Sequence, residues 1–281
     1  MSITRRLRRL GSTRTLEQIF DENEGRLVHK WMHYFDIYER HVAPYRGHSP
    51  KILEIGVSHG GSLDLWSTWF GRNAEIVGVD IDPRAAALAR PGVTISVGDQ
   101  GDPKFLDTLA AEHGPFDIII DDGSHQPAHQ ILALKKLWPA IRPGGVFLVE
   151  DLHSNYWPEY GGDLGRPDTF VEFVKPLIDE MHAFHSRTSG FEPSDWTRTL
   201  GGIHVYDSIV VLDRVDRERP YHRMTGRPVF DTVYGADVDD FLDGDHKSEI
   251  EEMNQLHRRA IRGISSPITT SRKLVNRVRR R

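Results

Sequence analysis

Cysteine is absent from the 281 residues, which excludes a disulfide framework, a thiolate metal site and a cysteine nucleophile. Any metal must therefore be held by oxygen or imidazole. Also missing is any stretch near the roughly 18 to 20 consecutive apolar residues that span a bilayer. Residues 1–15 lack the apolar core of a signal peptide, so a cytoplasmic chain is the expectation. Acidic residues are missing from both ends: residues 1–15 carry five arginines and residues 258–281 carry nine Lys or Arg, with no Asp or Glu in either. Removing those 14 from the 36 Lys and Arg leaves 22 against 41 acids, so the middle of the chain is near −19 while the whole is −5. Such a body repels phosphate backbones, and no nucleic-acid partner is expected. For the basic ends two expectations stand side by side. They make peripheral contact with an anionic inner-membrane surface, or they are solvated tails that pack on the acidic body of the same or a neighbouring subunit.

The length suits one main domain with appendages. Apolar runs and helix-like segments alternate from about 50 to 150 and read as successive βα units. The runs at 51–55, 75–79, 93–97, 116–120 and 146–149 are rich in Ile and Val and too short for helices. They are expected to be buried parallel strands. Helices are expected at 62–69, 84–89, 103–112 and 128–141, the last stopped by Pro143-Gly144-Gly145. Residues 26–45, crowded with His29, Trp31, His33, Tyr34, Phe35, Tyr38 and His41, are expected to form a helix beside the site. Residues 153–168, rich in Gly, Pro, Tyr and Trp, read as a lid or substrate loop. A further helix is expected at 171–185, and residues 203–212 are expected to close the sheet as an antiparallel hairpin. The fold class is thus α/β, Rossmann-like and doubly wound, with a mostly parallel sheet.

The first strand runs into a glycine-bearing turn at Gly56-Val57-Ser58-His59-Gly60-Gly61, where backbone can approach a ligand and a helix start offers free amides. Ser58 stands where a middle glycine is frequent. The second strand ends in Asp80, an acceptor suited to two ribose hydroxyls. The third ends in Gly98-Asp99-Gln100, polar groups suited to an adenine edge, and the fourth in Asp121-Asp122. In an open α/β sheet these strand ends share the rim where ligands bind.

Asp122-Gly123-Ser124-His125 is followed, 28 residues beyond Asp122, by Glu150-Asp151. With the fourth and fifth strands adjacent, Asp122, Glu150 and Asp151 meet beside the ligand rim. Three carboxylates there repel one another unless a cation joins them, and Mg²⁺ prefers oxygen ligands. Taken singly, each acid is better read as a helix cap or a solvated strand end; together, with His125 three residues after Asp122, they favour a metal site. His125 lies near enough to take a proton from a hydroxyl, and imidazole titrates in the useful range.

Glu54-x-Gly56, Asp80 and Asp99, in this order, resemble the class I methyltransferases that use S-adenosylmethionine (SAM). The candidate cofactor residues are then Glu54, Gly56, Ser58, Asp80, Asp99, Gln100 and Asp121, with Tyr34 from the aromatic segment. Asp122-Gly-Ser-His125, Glu150-Asp151 and His204-Val-Tyr206-Asp207-Ser208 are similar to the metal-dependent sugar O-methyltransferases of macrolide antibiotics. That resemblance implies Mg²⁺ on Asp122, Glu150 and Asp151, with His125 as general base. It also implies a sugar hydroxyl as acceptor, on a glycosylated natural product, glycolipid or polysaccharide, and a homo-oligomer. It spans residues 26–213, leaving 1–25 as a basic N-terminal extension and 214–281 as a C-terminal extension with a basic tail. The rival readings are a catechol-type O-methyltransferase and a non-catalytic surface-binding protein on the same fold. A nicotinamide dehydrogenase is the structural rival, but this chain lacks the G-x-G-x-x-G spacing that it would need.

Overall fold

The computed structural model describes residues 14–222 and the short paired segments Thr232–Val233 and Ala236–Asp237. The strands are β1 (Lys51–Ile55), β2 (Glu75–Asp80), β3 (Val93–Val97), β4 (Phe116–Asp121), β5 (Ile141–Val149), β6 (Leu200–Val205) and β7 (Val210–Arg214). They form one sheet in the order β3-β2-β1-β4-β5-β7-β6, with β1 to β5 parallel and β7 antiparallel to both β5 and β6. The expected doubly wound sheet and closing hairpin are therefore present. The order reverses between β1 and β4, which is where such sheets open a crevice.

Pleating divides the strand residues between two cores. Ile52, Ile118, Ile120 and Leu148 face the layer built by α1 (Leu16–Asp21), α2 (Tyr34–Val42) and α3 (Gly61–Phe70). Leu53, Ile119, Phe147 and Val149 face α4 (Pro103–His113), α5 (Pro127–Leu137) and α6 (Phe170–His182). Each fully buried Ile or Leu contributes about 1.5–3 kcal/mol. With both faces covered, continuous Ile and Val runs are what these strands require. Helix starts follow local chemistry: Asp102 accepts a bond from the Lys104 amide with Pro103 opening α4, and Thr169 caps α6. A short helix, α7 (Asp195–Thr199), leads into β6.

Three segments differ from the sequence-based expectation. Residues 83–88 form a 3-10 turn, opened by Pro83 after the Asp82 cap. β5 begins at Ile141, before the Pro-Gly-Gly break, because Ile141 pairs with Phe116 across an irregularity in the ladder. The aromatic segment is helical only from Tyr34. Residues 27–31 have no regular structure, and Leu27 lies across the start of α3. A Cβ at Gly61 would stand 2.4 Å from the Leu27 carbonyl oxygen, so glycine allows this crossing, and Arg26 anchors it by bonding Asp64 at 3.0 Å.

The compact unit extends to Glu218. Leu16 and Ile19 of α1 are buried in its core, so that helix belongs to the unit although it precedes residue 26. Residues 1–13 and 258–281, which hold nearly all of the basic ends, lie outside the described residues. No helix among the described residues is long and apolar enough to cross a membrane.

Candidate active site

A cavity of about 400 Å³ opens at the reversal between β1 and β4, a volume suited to a cofactor-sized ligand. Gly56, Ser58, Asp80, Asp99 and Gln100 line it. Gly56 has φ 88°, and a Cβ there would meet the Asp122 carbonyl oxygen at 2.0 Å, so the turns after β1 and β4 touch only because this residue is glycine. Asp80 is fixed by backbone donors, its Oδ2 accepting from the Ser58 amide at 2.8 Å and its Oδ1 from the Asp82 amide at 2.9 Å. Each oxygen keeps a lone pair for a ligand hydroxyl. Asp99 accepts from the Gly101 amide through Oδ1 at 2.7 Å.

Three expected cofactor residues stand outside the lining. Glu54 is fully buried beneath it and accepts from the Ser62 hydroxyl at 2.9 Å, and Ser62 does line the cavity. Burial pushes Glu54 up to about 7. Asp121, also buried, accepts from the Gln100 amide group at 2.7 Å, and burial raises it to about 7 as well. Gln100 is thereby committed at both ends, since its carbonyl oxygen takes the Ser124 amide at 3.0 Å. Asp99 is left as the freer polar group near the third strand. Tyr34 reaches the opposite side of the site, where its hydroxyl donates to Asp151 Oδ1 at 2.7 Å. Burial, followed by that bond, raises the Tyr34 pKa.

Asp122, His125 and Asp151 come together beside the cofactor side, one ligand atom from each lying within 4.8 Å of the others. His125 Nε2 is 3.6 Å from Asp151 Oδ2. Backbone strain accompanies this convergence: Ser58, His125 and Asp151 all adopt left-handed φ, at 48°, 56° and 53°. Such conformations persist in non-glycine residues only when the surroundings impose them. A hydrogen bond from the Ser154 hydroxyl to the His125 carbonyl at 2.8 Å is one such constraint.

Glu150 is set apart from that trio. Its Oε2 accepts from Lys30 Nζ at 2.7 Å, and the same ammonium donates to Asp122 Oδ2 at 2.5 Å. The Lys30 side chain is only 5% exposed. Burial alone would lower its pKa, but Asp122, Glu150, Tyr38 and Glu54 together hold it well above the ordinary value, and Lys30 is charged. Lys30 thus supplies part of the positive charge that the converging carboxylates need. Lys30 belongs to no motif, and nothing in its local sequence marks it. Oxygen donors from Asp122 and Asp151 fit a divalent ion beside Lys30, with the His125 imidazole close by.

From His125 a series of rings runs outward. Tyr160 lies 6.2 Å from it, Trp157 6.0 Å from Tyr160, His153 4.7 Å from Trp157 and Trp31 5.7 Å from His153. Trp31 and Trp157 are about half exposed, at 50% and 42%. Two 3-10 turns, Leu152–Tyr156 and Pro158–Tyr160, hold this shelf in place within the loop expected at 153–168.

The sheet order, with β7 and β6 antiparallel beside β5, is that of the class I methyltransferase fold. A family model described as a methyltransferase domain matches residues 53–152, the part of the chain that builds this rim. Over 202 residues the chain is 40% identical to demethylmacrocin O-methyltransferase of Streptomyces fradiae, a match covering 67% of this chain and 51% of that protein. It is 36% identical over 200 residues to mycinamicin VI 2''-O-methyltransferase of Micromonospora griseorubida, covering 66% and 49%. The chain spans about half the length of the curated relatives it matches. The solved MycE methyltransferase of the mycinamycin pathway, in complex with Mg and SAH, superposes with a TM-score of 0.60 at 31% identity, over 72% of this chain and 54% of that one.

Proposed function

We propose that this chain is a SAM-dependent O-methyltransferase that methylates a sugar hydroxyl on a glycosylated small molecule and requires a divalent ion such as Mg²⁺. The observation that carries the reading is the convergence of Asp122, His125 and Asp151 at the edge of the cavity lined by Gly56, Asp80 and Asp99. The named relatives and the MycE complex support the same chemistry. SAM, when bound, supplies an electrophilic methyl group, and Mg²⁺ supplies positive charge that makes a nearby hydroxyl more acidic. In this reading Asp80 and Asp99 orient the cofactor, while Asp122 and Asp151, the latter held by Tyr34, hold the ion. His125 would take the hydroxyl proton at Nε2 while the methyl carbon exchanges its bond to sulfur for one to the acceptor oxygen, with S-adenosylhomocysteine as the leaving group. Lys30 offsets part of the negative charge of Glu150 and Asp122 and holds the two carboxylates together before any ion arrives.

The half-exposed Trp157 and Trp31, in the ring series that starts with Tyr160 at His125, would offer apolar faces to the C–H side of a sugar while its hydroxyls turn toward the acids. An acceptor screen with SAM and Mg²⁺, read by mass spectrometry, tests the proposal. A gain of one methyl on glycosylated macrolides or related glycosides is expected. Methylation of catechols alone would replace the sugar reading, and no transfer to any hydroxyl would overturn it.

A further inference from the structure

Away from the cavity, α2 meets the outer strands of the sheet. In the β6–β7 ladder Gly202 pairs with Asp213 and His204 with Val211, so His204 and Asp213 project from one face of the hairpin as diagonal neighbours. His41 of α2 packs over that face, its ring centroid 4.6 Å from that of His204. His204 Nε2 is 2.7 Å from Asp213 Oδ2, and the Tyr206 hydroxyl lies 2.9 Å from His41 Nε2 and fixes the ring. One ligand atom from each of His41, His204 and Asp213 lies within 4.8 Å of the others. None of the three lines the cofactor cavity.

We propose that His41, His204 and Asp213 form a second metal site, for a transition ion of the zinc type, that clamps α2 to the sheet edge. Two imidazoles and one carboxylate are the donors such an ion takes, and three protein ligands leave a position for water. Mg²⁺, which prefers oxygen, would be held poorly by the same set. Space is provided beside the ligand atoms: a Cβ at Gly202 would lie 2.8 Å from Asp213 Oδ2 and 3.3 Å from His204 Nε2, and glycine keeps that position clear. A cleft of about 610 Å³, lined by His41, Tyr45, His48 and Asp213 among others, opens on the site and admits solvent. The ligands come from α2, β6 and β7, so a bound ion joins segments more than 160 residues apart and closes a loop that the hydrogen bonds alone hold. This site is independent of the methyl-transfer reading, and either can fail alone.

The test uses the full chain and Zn²⁺. In an Asp122→Asn/Asp151→Asn background, which removes the cavity's ligands, calorimetry should find one equivalent of Zn²⁺ bound. Adding His41→Ala, His204→Gln or Asp213→Asn should weaken that binding at least tenfold. No Zn²⁺ bound in the background, or binding that all three substitutions leave unchanged, overturns the proposal. A second measurement needs no variant. With excess Mg²⁺ present, Co²⁺ added to the unmutated chain should develop the strong visible absorption of a four- or five-coordinate site with nitrogen ligands. A spectrum no stronger than that of aqueous Co²⁺ overturns the proposal equally.

Discussion

Lys30 and Glu150, 120 residues apart in the chain, meet at 2.7 Å in the interior, and the same ammonium reaches Asp122 at 2.5 Å. Both partners are nearly solvent-free, at 5% and 1% side-chain exposure. Burial already raises Glu150 to about 8 beside Lys30, so removing Lys30 leaves Glu150 either charged and unpaired or protonated in the interior, at a cost of up to about 3–5 kcal/mol. Lys30→Met should therefore lose about that much stability in urea denaturation at pH 7, and Lys30→Met/Glu150→Leu should regain most of it. Mg²⁺ should stabilise the single variant more than the unmutated chain, because the ion takes over the missing charge. Equal stability of Lys30→Met and the unmutated chain would show that the pair contributes nothing.

For His125 the expected effect is on turnover. As the proton acceptor, its loss in His125→Ala should lower kcat by about 10² to 10⁴, the usual range for a positioned base, while calorimetric binding of the cofactor stays unchanged. Asp122→Asn should instead make activity demand much higher Mg²⁺, and excess EDTA should abolish turnover in the unmutated chain. Full turnover in EDTA would remove the divalent ion from the mechanism.

Asp80 supplies the test of the cofactor side. Its carboxylate is pre-set by two backbone amides, so it meets ribose hydroxyls without reorganisation. A hydrogen bond to a charged group is worth about 1.5–3 kcal/mol, and Asp80→Ala should weaken binding of S-adenosylhomocysteine by roughly ten- to a hundredfold. Unchanged affinity would place the ribose elsewhere.

Glu54 should leave a mark on the pH dependence of stability. Burial raises it from an ordinary 4.5 to about 7, so the folded chain binds this proton more tightly than the unfolded chain. Its favourable contribution is complete below about pH 4.5 and is lost as pH rises to 7, by about 3 kcal/mol in all. Glu54→Gln, which keeps a partner for Ser62, should remove that slope, so that its stability relative to the unmutated chain improves between pH 5 and 8. Parallel curves for the two proteins over that window would mean that Glu54 is ionised at little cost.

What the sequence determined by itself was whatever a few neighbouring residues decide. Short Ile and Val runs ask for burial on both faces, so β1, β2, β4 and β5 were legible, as was the glycine at 56 that lets two turns touch; β3, at the sheet edge, is a strand as expected but is buried only at Val93. The spacing Asp122 to His125 lies within one turn of chain and survived into the site as a contact group. The aromatic density at 26–45 did not distinguish helix from crossing strand, because His, Trp and Tyr pack equally well from either. Only the passage of residues 26 and 27 over Gly61 made the first part extended and brought Lys30 to the acids. In the same way tertiary structure decided that Glu150 turns to Lys30, that Gln100 is spent on Asp121 and Ser124, and that His41 meets His204 and Asp213. Helix and strand periods are set by steric and hydrogen-bond rules acting over a few residues. Pairing of side chains far apart in the chain depends on the path of everything between them, which no local pattern encodes.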